Sequence, residues 1–584
     1  MSRIARVVTM HNSLNKMSIN KATVAFIVIA ITLISTGAAS MIYEVVLIRE
    51  FTILLGSSYY SGSIVLAAVM GGLAIGSFFI GKLSDRAKNP FLILFILEVL
   101  IAIISLVIVP VTRRLVTAGD WILTDVIIST FKIINLNPTS WHVLLIYSSG
   151  ILIIPAILMG GELPVAIKIL SKSNTEKIGE VTGCSYFLDT IGGIFGAISA
   201  GIILIPILGS IKTAHAGGFL NIIGAVSVAL YMIFVQRTYG HGFEETLPPD
   251  NKKRNSQRGA FFTILIVLPL IALFAVGYYQ ADQLEYTTTA DLYPGQVILE
   301  QRQSKFQTIT VIDHNLLGRV LFLDGREQIS EKDDEPYSEA LILPATVTLL
   351  CNQDDPLNVL MIGGGDLGGL EVLTRFPGED LGSITLVDLD PVVIEVSKKY
   401  FVNIHNDSWQ DCRYEYIEMD GRRYIKDAIK DGKEFDLVIL DLPDPNDDIL
   451  ATFYSLELYN DVYLLLDDDG IMVTQATQAD WALGADGCVV IANTLNRSEF
   501  PIVRIYTQYI PSFGGWGFAI ASKSYDPLQI TEEGIVDVIA EIGTNTYDEK
   551  VHFSLFSLPP WLVKDVTGAQ YINTIDKPVI IREY

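Results

Sequence analysis

The sequence predicts a multi-span α-helical membrane domain, then a small antiparallel β domain, then an α/β domain built on a mostly parallel sheet. Three observations lead there. Half of the 584 residues are hydrophobic, and the mean hydropathy of +0.41 is high for a soluble enzyme. Charge divides unevenly: residues 1–280 hold 20 Lys and Arg against 13 Asp and Glu, whereas residues 281–584 hold 21 against 52. Hydrophobic periodicity also changes, from long apolar runs to short alternating ones.

The apolar runs lie near 24–45, 61–80, 91–111, 143–160, 181–207, 213–235 and 260–279. Each matches the ~20 helical residues that cover a hydrocarbon core. The expected order is a cytoplasmic tail at 1–22 and a transmembrane domain of about seven helices at 23–280. Gly72 and Gly76, then Gly192 and Gly196, stand at the spacing that lets helix backbones approach closely. Glu44, Glu98, Glu162 and Asp189 fall in or beside these runs, where a charge is costly and marks a candidate functional position. Glu44 and Glu162 equally suit helix ends that reach headgroups or water, so Asp189 is the best candidate for a buried polar site. Basic residues cluster in the tail, in Lys82–Lys88, in Lys168–Lys177 and in Arg237–Arg258. Alternating spans put all four on one side, the cytoplasm by the positive-inside rule. A seventh span then delivers the acidic half to the other side, unless one stretch does not cross fully or 119–137 adds an irregular crossing.

Beyond residue 285, QVILEQ, FQTITVID, RVLFLDG and REQIS alternate as hairpin strands do, with turns at Asp313-His314-Asn315 and Asp324-Gly325. They define a β-hairpin unit at 285–345. Strand-like runs then recur at 357–363, 384–390, 413–419, 436–442, 470–475, 502–508 and 517–522, mostly separated by helical segments. That alternation gives a parallel sheet covered on both faces, a Rossmann-like domain at 346–525. Residues 526–584 form an apolar, aromatic extension that packs on this domain or contacts a neighbouring subunit, which leaves a homo-oligomer open.

The first of these strands runs into Gly363-Gly364-Gly365-Asp366-Leu367-Gly368-Gly369. Glycines at a strand-to-helix turn let a ligand approach the backbone. Asp388 ends the next strand about 20 residues on, where an acidic side chain accepts ribose hydroxyls. The third glycine spacing of a dinucleotide fingerprint is missing, so a nucleoside without phosphates fits better. Asp420, followed by Gly421, ends the third strand, where a carboxylate can accept from an adenine amino group. Asp441 and Asp444 follow the fourth. Ligands in such folds sit beyond the carboxyl ends of the strands, and five aspartates there, counting Asp366, suit a cationic ligand. The acidic balance excludes nucleic acid, which needs a basic face. Four scattered cysteines without a C-x-x-C argue against a zinc site or disulfide framework.

Gly81–Arg86 resembles the short loop motif of major-facilitator transporters. The blocks Ser304-Lys305-Phe306-Gln307, GRVLFLDGREQISEKDDEPYSE, MIGGGD, LVDLDPVVIEVSKKYF, MDGRRYI, DLVILDLPDP and PSFGGWGFAIAS, in this order, resemble the spermidine/spermine synthase family over about 300–525. That family lies within the S-adenosylmethionine methyltransferase-type fold. DLPDP, PSFGGWGF and the stretch before Arg86 resemble its membrane-fused branch, which implies a cell-membrane, multi-pass protein with its synthase domain expected in the cytoplasm, in conflict with the span count.

By that resemblance the chain is a polyamine aminopropyltransferase. It would take decarboxylated S-adenosylmethionine as co-substrate, with no cofactor and no metal, and putrescine or another small amine as acceptor. Gln307, Asp388, Asp420, Gly421, Gly363 and Gly365 would hold the donor, and Asp366 its aminopropyl ammonium. Tyr337, Asp441 and Asp444 would line the amine channel, with Asp441 as proton acceptor. Three departures stand out. Leu367 replaces a usual glycine and would narrow the donor site. Ser338, at a polyamine-binding position, replaces His or Gln. Phe513 replaces a substrate-facing Tyr. Two other readings keep the fold: a related S-adenosyl-dependent transferase with another acceptor, and a polyamine transporter or sensor whose synthase-like domain binds without turnover.

Overall fold

A computed structural model describes residues 21–55, 58–118, 140–171, 178–239 and 249–581. The expected tail, but for its last two residues, and the expected crossing at 119–137 lie outside the described residues. The chain divides into two compact units, Met1–Pro294 and Gly295–Tyr584.

The first unit is helical: α1 (Lys21–Leu55), α2 (Ser58–Arg86), α3 (Pro90–Ser105), α4 (Ile108–Ala118), α5 (Ser140–Ser171), α6 (Ile178–Ser199), α7 (Ile205–Tyr239) and α8 (Pro249–Ala290). A π-helical turn, Ala200–Leu204, joins α6 to α7. The paired glycines act as their spacing suggests. A Cβ on Gly76 of α2 would lie 2.0 Å from the Ile157 carbonyl oxygen of α5, and one on Gly192 of α6 would lie 2.2 Å from that of Ile34 on α1. Among the described residues five helices are long and apolar enough to cross a membrane, or six if the bent pair Pro90–Ser105 and Ile108–Arg114 counts as one span. One of the five, Ile178–Ile233, runs over 56 residues, about 84 Å at 1.5 Å per residue. That greatly exceeds a ~30 Å hydrocarbon core, and Gly209 (φ 74°, ψ 178°) breaks its helical geometry. Divided there it holds two crossing lengths.

Polarity in this unit is inverted relative to a water-soluble protein. Phe195 and Ile207 are 69% and 73% exposed, while Glu50 and Glu98 are fully buried. Glu50 is answered by Arg113, whose guanidinium donates to it at 2.7 and 2.9 Å and to Glu285 at 2.6 Å. Near the carboxyl ends of α2 and α5, Lys168 donates to Asp85 at 2.8 Å.

The second unit holds two sheets. The first is an antiparallel meander of β1 (Val297–Gln303), β2 (Thr308–His314), β3 (Gly318–Leu323) and β4 (Arg326–Ser330). Asp324 and Gly325, both with positive φ, turn β3 into β4. Helix α9 (Asp334–Leu350) follows and runs through position 345, where a division between β unit and α/β domain is expected. The second sheet comprises β5 (Leu357–Gly363), β6 (Leu381–Asp388), β7 (Tyr414–Glu418), β8 (Phe435–Asp441), β9 (Leu466–Gln478), β10 (Ile502–Ile510) and β11 (Gly514–Ser522), in the spatial order β10-β11-β9-β8-β5-β6-β7. Strands β5 to β9 are parallel, and β11 and β10 complete the edge antiparallel. Val359, Met361, Leu437 and Ile439 are fully buried, as expected for strands covered on both faces. The order reverses at β5, between β6 and β8. A crevice opens at such a switch point beyond the carboxyl ends of the strands.

Candidate active site

That crevice is a cavity of about 640 Å³. Its floor is the glycine turn after β5. Gly363 and Gly364 adopt φ of 83° and 71°, and the Gly364 amide donates to the Asp441 carbonyl at 2.9 Å. A Cβ on Gly363 would lie 1.9 Å from that carbonyl oxygen, and one on Gly365 would lie 2.9 Å from an Asp388 carboxylate oxygen. Glycine is required here so that β5 can close against β8 and the loop can lie against Asp388. Asp366 ends the turn and accepts from the Gly368 amide at 2.9 Å, at the start of α10 (Gly368–Thr374).

Each strand end presents a carboxylate to the cavity. Asp388 accepts from the Asp390 amide at 2.8 Å. Asp390 caps α11 (Pro391–Tyr400) through the Val392 amide and accepts from Ser304 at 2.6 Å and Gln307 at 3.0 Å. Asp420 caps α12 (Gly421–Lys430), accepting from the Arg423 amide at 2.9 Å. Gly421 is kept small by Ile362, whose Cγ2 would lie 2.3 Å from an added Cβ. Asp441 accepts from the Tyr337 hydroxyl at 2.7 Å, and Asp444 accepts from Gln475 at 3.0 Å.

These groups share one dielectric. Burial pushes the Asp441 carboxyl up to about 7, helped by the charges of Asp366 and Asp388 and opposed by the Tyr337 hydrogen bond. Burial raises Asp388 to about 6, opposed by the hydrogen bond from the Asp390 amide and helped by the charges of Asp390 and Asp366. Burial raises Asp366 as well, against the hydrogen bonds from its own turn. Repulsion among acids forced together favours protonated forms, and a bound cation relieves it. Asp441, near 7, is placed to exchange a proton at neutral pH. Among the described residues no group of three or more acidic, His or Cys side chains could hold a metal ion.

Of the residues singled out from sequence, Gln307, Gly363, Gly365, Asp366, Asp388, Asp420, Gly421, Tyr337, Asp441 and Asp444 all line this cavity, as does Phe513. Two expectations need correcting. Ser338 does not line the cavity. It is buried, its hydroxyl donates to Asp334 at 2.8 Å, and it lies beside Gly368. Position 338 follows Tyr337 on the same helix, so its side chain leaves about 100° away from the tyrosine. Leu367 does not narrow the donor site either. It holds a left-handed φ of 74°, and its fully buried side chain belongs to the hydrophobic core rather than the cavity wall.

Other lining groups carry no sequence signal. Gln475 on β9 reaches Asp444, the Leu442 carbonyl and the Tyr454 hydroxyl together. Asp390 was legible only as the last residue of a strand, before a proline. Glu327 and Trp516 face the cavity from β4 and β11, and both leave a buried polar atom without a partner.

Comparison with known proteins agrees with this geometry. Residues 343–532 match the family model described as spermine/spermidine synthase domain. A polyamine aminopropyltransferase of Sulfolobus acidocaldarius is 31% identical over 303 residues, covering 51% of this chain and 96% of that protein. Those of Corynebacterium efficiens and Oceanobacillus iheyensis are 27% and 26% identical over 489 and 505 residues, covering 83% and 85% of this chain and 83% and 87% of those proteins. Alignments of that length cannot fit within Gly295–Tyr584, so the likeness extends into the helical unit. The chain belongs to the spermidine/spermine synthase family of polyamine aminopropyltransferases.

Proposed function

We propose that the chain transfers the aminopropyl group of decarboxylated S-adenosylmethionine to putrescine or a closely related small amine, giving spermidine and 5′-methylthioadenosine. The observation that carries this reading is the Asp441 carboxylate, held by Tyr337 in a cavity with Asp366, Asp388 and Asp444 around it. Asp388 and Asp420, with Gln307, Gly363, Gly365 and Gly421, hold the nucleoside, and Asp366 receives the aminopropyl ammonium. Asp444, steadied by Gln475, and Tyr337 line the amine side.

The reaction on this reading is an in-line displacement. The lone pair of a neutral amine nitrogen attacks the methylene next to the sulfonium. The carbon–sulfur bond breaks, its electron pair returns to sulfur, and a neutral thioether leaves. The new secondary ammonium gives its proton to Asp441. Orientation by the carboxylates supplies most of the rate, and proton transfer contributes on the order of 100–10,000-fold. The test is mass spectrometry of products from purified protein supplied with the donor and a panel of diamines, alongside Asp441→Asn. Methylthioadenosine and spermidine, lost in the variant, are expected. Donor binding without methylthioadenosine from any amine would overturn the reading.

The helical unit we read as a multi-pass domain of the cell membrane. Its outward apolar side chains and inward carboxylates suit lipid rather than water. An odd number of crossings leaves the end of α8 on the side opposite the N-terminus, and an even number leaves it on the same side. Protease access to residues 526–584 in oriented vesicles reads the side on which the catalytic unit works.

A further inference from the structure

The helical unit contains three carboxylates that aminopropyl transfer does not use. Glu98 of α3 is fully buried, Glu162 of α5 is 5% exposed, and Asp189 of α6 is half-buried. We infer that they form a second binding site, within the helical unit, for an extended polycation bearing several ammonium groups. The inference rests on reading this unit as membrane-embedded.

The three acids lie along one stretch of α1. Asp189 presses on Gly37, where an added Cβ would lie 3.1 Å from its Oδ1. Glu162 lies against the neighbouring Thr36 and feels the charges of both Glu98 and Asp189. Glu98 accepts from Asn221 at 2.9 Å, and Asn221 accepts from the Tyr43 hydroxyl at 2.6 Å. Thr36 and Tyr43 are two helical turns apart on one face, about 10 Å. Helix α7 gives way as α1 does: a Cβ on Gly224 would lie 3.0 Å from both Glu98 oxygens.

No salt bridge among the described residues reaches these acids. Glu98 and Glu162 each bury one carboxylate oxygen that has no hydrogen-bond partner. The ion pairs seen among the described residues of the unit go elsewhere: Arg113 to Glu50 and Glu285, Arg114 to Asp291, Lys168 to Asp85, Lys212 to Asp282. A buried carboxylate without a cation costs several kcal/mol. It is therefore either protonated or met by a cation from outside. A single metal ion does not fit, because the acids do not converge on one point. Ammonium groups set about 5–6 Å apart along an alkyl chain do fit acids spread over two turns, with the Tyr43 ring alongside the methylenes. The cavity beside Tyr43 measures only about 20 Å³ and has Glu44 but none of the three acids in its wall; it has room for about one water, so loading requires the helices to part.

The test uses the full-length chain in detergent and radiolabelled spermidine as probe. Asp441→Asn with Asp444→Asn removes the amine-binding carboxylates proposed for the α/β unit. Residual saturable binding is expected, weakened at least tenfold when Glu98→Gln and Glu162→Gln are added. In the chain with intact helical carboxylates, spermine should displace the label and equimolar magnesium should not. Absence of residual binding, indifference to the two glutamine substitutions in a monodisperse protein, or equal displacement by magnesium would each overturn the inference. The difference between chains comes from the helical substitutions alone, so it reads the second site even if the wild type shows no aminopropyl transfer.

Discussion

The two units gather carboxylates by opposite means. In the α/β unit Asp366, Asp388, Asp420, Asp441 and Asp444 all stand just beyond strand ends, where open backbone amides cap three of them and a cavity of about 640 Å³ admits solvent and ligand. In the helical unit Glu98, Glu162 and Asp189 project sideways between packed helices whose amides are already bonded, and none of them lines the void of about 20 Å³ beside Tyr43. A strand end offers a carboxylate both partners and space. A helix flank offers neither, so its carboxylate needs a side chain such as Asn221, an arginine such as Arg113, or a ligand.

The largest effect that would break this contrast is at the strand ends. Asp441→Asn should lower the turnover of aminopropyl transfer by on the order of 100–10,000-fold with methylthioadenosine affinity nearly unchanged. A loss below tenfold in steady-state kinetics would remove Asp441 from its role. On the helical side, Arg113→Ala leaves Glu50 buried and unanswered, and the cost should be about 3–5 kcal/mol. Thermal melting in detergent reads it, and an unchanged Tm would show that Glu50 is neutralised by other means.

A subtler effect concerns the empty α/β site. Asp441 has a pKa raised from its ordinary value to about 7, so the folded, unliganded protein favours its protonated form. Its ionisation therefore destabilises the fold progressively as pH rises from about 4 through 7. Asp441→Asn should stabilise the unliganded protein at pH 8 by on the order of 1–3 kcal/mol. The gain should shrink toward pH 5 and vanish below about pH 4, in denaturation curves at each pH. A pH-independent gain would sink the electrostatic account. The smallest effect is at Phe513, in the cavity wall 4.8 Å from the Trp516 ring. Phe513→Tyr restores a hydroxyl and should lower the KM for diamine by no more than about tenfold, the worth of one hydrogen bond. A change confined to turnover would place residue 513 at the reacting atoms instead.

The order of strands and helices, the apolar character of the helical unit and the register of aspartates at strand ends were all legible in sequence, because each follows from local periodicity and from where a strand must stop. Glycine spacing marks α2 and α6 as helices that pack closely on a neighbour, though not that the neighbours are α5 and α1. Tertiary structure alone decided that Ser338 turns to Asp334 rather than the cavity, since one residue along a helix rotates a side chain by about 100°. It alone put Leu367 into the core at a positive φ, joined Gln475 to Asp444 across two strands, and drew Glu98, Glu162 and Asp189 to one stretch of α1. These are contacts between residues far apart in the chain, and no local pattern encodes the distance between two elements once both are buried.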